Sequence, residues 1–129
     1  MSSILIKKLT LCLQAFYVLV LLSLELKFLG FKKVLYKAEN SKVNFLFSNN
    51  IYWNVKAIDY SSKLIPGCTC LIKSIALKLI SPVDHELYLV IGVSNASGFQ
   101  SHAWIEKDNH IIFGLLDNQS KFKEILRVS

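Results

Sequence analysis

Cysteine is scarce in this chain of 129 residues, and odd in number: Cys12, Cys68 and Cys70. Three thiols make no disulfide framework, which points to a reducing compartment, the cytoplasm. Cys68 and Cys70 have no second cysteine pair and no His-x-x-x-His to complete a tetrahedral zinc site, so neither metal nor cofactor is expected. Acidic residues are also few, nine against fifteen Lys and Arg, for a formal net charge of +6. Yet no basic run exceeds a pair such as Lys7-Lys8 or Lys32-Lys33, and no aromatic-basic interleaving or nucleic-acid motif occurs. Nucleic acid is therefore not an expected partner. Scattered solubilising lysines are the plain reading of the charge, while an acidic peptide or a membrane surface would suit it equally. Internal repeats and low-complexity segments are absent as well.

Apolar sequence, by contrast, is plentiful: 53% of residues are hydrophobic and the mean hydropathy is +0.42. A chain of this length forms one domain, here read as a helical segment over 1–64 packed on a core over 65–129. Lys7 and Lys8 precede the apolar run Leu11–Leu24. Gln14, Glu25 and Lys27 interrupt that run, no small-residue cleavage site follows it, and about 20 apolar residues are needed to span a bilayer. A helix packed in the core or lying at an interface is expected, with a membrane span as the alternative. Gly30 ends it. Beyond it Leu35 and Tyr36 continue an amphipathic pattern that breaks at Asn40-Ser41. A further helix, capped by Asn49 or Asn50, carries Ile51, Val55, Ile58 and Ser62 at helical spacing and stops at Pro66-Gly67.

The stretch Cys68–Glu106 holds the chemistry. Thr69 is a good N-cap, which puts Cys70 at the first position of a helix whose apolar face is Ile72, Ile75, Ala76 and Leu79. A thiol there faces free backbone N–H groups and the positive end of the dipole, which favours the thiolate nucleophile. Cys68 lies before the cap and is less well placed. The plainer alternative makes both cysteines small buried hydrophobes. After a loop at Pro82 and Asp84, Glu86–Val93 reads as a buried strand with Gly92 near its end. Gln100–Lys107 alternates, with His102, Trp104 and Glu106 on one face and Ala103 and Ile105 on the other. Asp108-Asn109 makes a tight turn, His110–Leu116 returns, and Phe122–Val128 is a last element. A helix on an antiparallel sheet is an α+β arrangement. His102 beside Cys70 would make a nucleophile–base pair. His85 and His110 read as surface residues. Trp104 reads as core, with the wall of a site as the alternative.

Asn54–Gly114 resembles the leader-peptidase (B-type) proteins of lasso-peptide biosynthesis, of the transglutaminase-like branch of the papain fold. Cys-Leu-Ile-Lys-Ser-Ile-Ala-Leu-Lys-Leu at 70–79 is similar to that family's nucleophile helix. Leu-Val-Ile-Gly-Val at 89–93 is similar to its central strand, and Gly98-Phe99 with His102-Ala-Trp-Ile-Glu106 to its histidine strand. The apolar helix closing on Phe28–Leu35 resembles the family's opening segment. The resemblance implies a papain-like/transglutaminase-like core and a Cys–His–Asp peptidase that frees a ribosomally made precursor peptide from its leader. Cys70 would be nucleophile and His102 base. Some relatives carry the Asp where this chain has Phe113-Gly114, so Asp117 takes the third place. Glu106, roughly 13 Å along the strand from His102, is too far. The length implies a stand-alone peptidase, working with a separate leader-recognition protein beside an ATP-dependent macrocyclase. A catalytically silent peptide-binding relative, a small membrane-associated protein, and acyl transfer to an amine are the competing expectations.

Overall fold

The computed structural model describes residues 2–40, 51–65, 68–80, 87–96, 98–116 and 119–128. Four helices come first: α1 (Ser2–Leu29), α2 (Phe31–Asn40), α3 (Ile51–Ser62) and α4 (Cys70–Ile80). Four strands follow, β1 (Tyr88–Ser94), β2 (Gln100–Lys107), β3 (His110–Phe113) and β4 (Lys123–Val128), with a short 3-10 turn at Gln119–Lys121 before the last. They form one antiparallel sheet in the order β3-β2-β1-β4. This is an α+β fold, a helix packed on a small antiparallel sheet with an N-terminal helical extension.

The helices form where local signals place them. Thr69 caps α4: its Oγ1 accepts from the Ile72 N–H at 3.4 Å, and its carbonyl accepts from the Lys73 N–H at 3.1 Å. Hence Cys70 opens the helix. In the β2–β3 hairpin, Asp108 and Asn109 take φ of 53° and 65°, the turn whose twist matches the strands. The expected caps Asn49 and Asn50, the expected turn at Pro66-Gly67, and Pro82, Asp84 and His85 lie outside the described residues.

Two expectations need correction. Beyond its first turn α4 is buried all round rather than on one face: Leu77, Ile80, Ser74 and Lys78 join Ile72, Ile75, Ala76 and Leu79 in the interior. The helix lies between β1 and β2 on one side and α1, α2 and α3 on the other, so every direction meets protein. Lys78, which a periodicity argument sends to solvent, is 4% exposed, and its Nζ donates to the Ala38 carbonyl at 2.8 Å. A cation suits that place, near the negative end of α2. The return strand is shorter than 110–116, because it ends at Phe113 and Gly114 takes φ +89°. The last element, whose neighbour the residues do not name, is β4, which pairs with β1 and closes the sheet on the side away from β3.

α1 extends well past the apolar run. Leu11, Ala15, Val18, Leu19 and Leu22 form its buried stripe and join the core with Ile58, Ile75 and Leu89. Ser61 Oγ donates to the Cys12 carbonyl at 2.9 Å and ties α3 to α1, while Lys37 meets Glu25 at 2.7 Å and ties α2 to it. By length and composition Leu5–Leu29 would suffice to cross a membrane. The stripe facing α3 and α4 is also what a helix packed on a domain requires.

Ile75 has no exposed surface and sits at the centre of this core. Ile75→Ala should lower unfolding free energy by about 2–5 kcal/mol, whereas Ile125→Ala, on the exposed side of β4, should cost well under half of that. Urea melts of the two variants measure the difference.

Candidate active site

Capping and burial together bring Cys70 to the edge of the sheet. Its Sγ accepts from the Ala103 backbone N–H at 3.5 Å. The thiol thus meets the β2 residue that directly follows His102. Cys70 and His102 line one cavity of about 670 Å³ with Val55 and Asp59 from α3, Lys73 from α4, and the wall Ile111–Leu116. Leu115 and Leu116 are exposed along that wall, so the cavity is a cleft, apolar on one side and charged on the other.

The His102 ring is held from three directions. Nε2 lies 2.5 Å from the Gly114 carbonyl. A carbonyl can only accept, so Nε2 carries the hydrogen and Nδ1 is left with the lone pair. Trp104 stacks on the ring with centroids 5.7 Å apart and planes 27° apart, and Phe122 lies against it at 5.7 Å. His102 is 8% exposed as a result. Trp104, expected as core, is buried and also backs the histidine. Its indole Nε1 donates to Glu106 Oε2 at 2.8 Å, and Arg127 Nη2 donates to Glu106 Oε1 at 3.0 Å. Burial pushes the Glu106 carboxyl up, but these two hydrogen bonds and the Arg127 charge outweigh it and hold the group below its ordinary range. Glu106 therefore orients the tryptophan and is spent on it.

Two glycines make room for this stack. A Cβ on Gly92, paired with His102 across the β1–β2 ladder, would lie 2.7 Å from Trp104 Cη2 and 2.9 Å from Cζ3. At Gly114 the positive φ and a Cβ contact of 3.1 Å with the Ala103 carbonyl leave glycine alone suited to present that carbonyl to the ring.

The structure brings Cys70 and His102 to one cleft, and Asp117 lies outside the described residues. His110 is exposed at the hairpin. Cys68 is half-buried; burial pushes its thiol up, and the nearby Lys73 charge only partly offsets this. Sequence reasoning missed Asp59 and Lys73. Asp59 stands four residues after Val55, so a helical wheel places the two on one stripe, yet nothing local ties that stripe to Cys70. Among the described residues no group of three His, Cys, Asp or Glu is placed to hold a metal ion.

Residues 48–127 match the transglutaminase-like superfamily. The chain belongs to that superfamily, and the matched region takes in α3 as well as α4 and the sheet. Comparisons with curated proteins and with solved structures gave no match.

Gly92→Ala should displace the Trp104 ring and cost about 1–3 kcal/mol, read as a lowered melting temperature. Glu106 should also shape the acid limb of stability. Its folded carboxyl titrates below its unfolded value, so its contribution is complete above the unfolded value and is lost as pH falls through the folded one. Melting temperatures between about pH 6 and 3 should therefore fall less steeply for Glu106→Gln than for wild type.

Proposed function

We propose that this protein is a cysteine peptidase that removes the leader from a ribosomally synthesised, lasso-type precursor peptide. The observation that carries this is a thiol at the first turn of α4, in one cleft with a histidine whose Nε2 is committed to a backbone carbonyl. Superfamily membership supports the broader class, and the motif at 102–106 carries the narrower resemblance.

In this mechanism His102 Nδ1 takes the Cys70 proton, and Sγ attacks the carbonyl carbon at the leader–core junction. The backbone N–H of Cys70 lacks an intrahelical acceptor at the helix start and receives the developing oxyanion. Collapse of the tetrahedral species breaks the C–N bond. The imidazolium protonates the leaving amine, which departs as the new N-terminus of the core peptide. Water, deprotonated by the same imidazole, attacks the thioester carbon; the C–S bond breaks, the imidazolium returns its proton to the Cys70 sulfur, and the leader leaves as a carboxylate. An amine in place of water would give acyl transfer. Asp117 is the proposed acid beside His102. Because Gly114 already orients the ring, Asp117 is expected to add charge more than geometry. A separate leader-recognition protein delivers the precursor, and an ATP-dependent macrocyclase consumes the freed amine.

Cleavage of a cognate precursor with the recognition protein present, followed by mass spectrometry, tests this. Wild type and Cys68→Ala should cut at the junction, Cys70→Ala should not, and His102→Ala should lose roughly a thousandfold or more. Asp117→Asn should lose less than His102→Ala does. An inactive wild type in that complete assay would replace the peptidase with a silent peptide-binding relative.

A further inference from the structure

α1 has two apolar faces, and the fold uses one. Opposite the buried stripe, Ile6, Leu9, Leu13, Phe16, Tyr17 and Leu24 are exposed, Leu13 by 62%. From Leu9 to Leu24 the sequence carries no charge. Lysines stand at both ends, Lys7 and Lys8 before and Lys27, Lys32 and Lys33 after. Glu25, the one acid in this region before Glu39, is paired with Lys37 at 2.7 Å.

α3 extends this surface. Between α1 and α3 lies a cavity of about 260 Å³ lined by Lys8, Lys56, Tyr52, Trp53 and Tyr60 among others. Lys8 Nζ sits 5.7 Å from the Trp53 ring centroid, and Lys56 Nζ 5.4 Å from that of Tyr52. Next to it, and sharing Cys12 and Tyr60, is an apolar groove of about 330 Å³ formed by Leu9, Leu13, Phe16 and Leu64. No acidic residue lines either one. A cationic, aromatic cavity opening beside an apolar groove matches an amphiphile with an anionic head. Tyrosine, tryptophan and lysine beside an apolar helix face are the side chains that settle at a bilayer surface.

We propose that the α1–α3 face docks on an anionic lipid bilayer, with α1 lying in the interface and lipid phosphates received between Lys8 and Lys56. The fold favours an interfacial position over a span: Leu11, Ala15, Val18, Leu19 and Leu22 hold α1 against the core, and drawing α1 across the bilayer would strip them from it. Self-association through this face would bring like lysine rims together. Neighbouring residues of a helix point about 100° apart, so Val55 and Asp59 line the cleft while Lys56 and Tyr60, each one residue further on, line the lipid-facing cavity. Docking therefore leaves the cleft open. The surface is independent of Cys70 and His102.

Co-sedimentation of the full chain with phosphatidylcholine vesicles, with and without about 30% phosphatidylglycerol, tests the proposal. Wild type and Cys70→Ala should bind the anionic vesicles alike and the neutral ones at least tenfold more weakly, with binding falling as salt rises from about 0.1 to 0.5 M. Leu9→Glu/Leu13→Glu should abolish binding, and Lys8→Glu/Lys56→Glu should reduce it about tenfold or more, both with an unchanged circular-dichroism melt. The proposal fails if wild type ignores anionic vesicles, or if folded variants bind as wild type does. It also fails if the leucine substitutions instead dissolve a homodimer, or a complex with the leader-recognition protein, in a chain that binds no lipid.

Discussion

Six apolar side chains of α4 leave water together, against two strands on one side and three helices on the other. A helix enclosed like this cannot slide or roll without opening a void, and voids in packed cores cost energy in proportion to their volume. Cys70 thus reaches the Ala103 amide by the packing of Ile75, Ala76 and Leu79, residues with no chemistry of their own. The Thr69 cap then decides that the helix begins at the cysteine and no later.

The histidine is positioned by a different device. Gly92 has no side chain, so the Trp104 ring lies down over β1 and presents its face to His102. Glu106, shared between the indole and Arg127, keeps the ring from turning. Arg127 belongs to β4 and Glu106 to β2, with β1 between them. The last strand of the sheet therefore acts on the histidine through a carboxylate and an indole, and no member of that relay needs to touch a substrate.

What could be read from the residues divides by how far each contact reaches along the chain. The Thr69 cap, the Asp108-Asn109 turn and the alternation of His102, Trp104 and Glu106 are local, and they are legible. The pairing of β4 with β1 depends on strands separated by the whole hairpin, and Phe122–Val128 alone does not name its neighbour. Lys78 illustrates a different limit. Periodicity treats lysine as a solvent residue, and only the meeting of α4 with the end of α2 supplies the Ala38 carbonyl that makes its burial tolerable. Asp59 belongs with these: its place in the cleft comes from how α3 packs, while its own neighbours in sequence suggest an ordinary helix surface.

The Gly114 carbonyl raises the deeper question about the site. A neutral acceptor fixes which nitrogen of His102 carries hydrogen, but it offers little to an imidazolium, whereas a carboxylate stabilises that cation strongly at the low dielectric of a buried ring. Orientation and charge are thereby separable in this fold. Orientation is supplied by backbone, which a glycine with positive φ presents and a side-chain substitution elsewhere cannot remove. Charge can come only from a side chain. Splitting the two duties in this way leaves the tautomer of His102 set by backbone, whatever side chain lies near the ring.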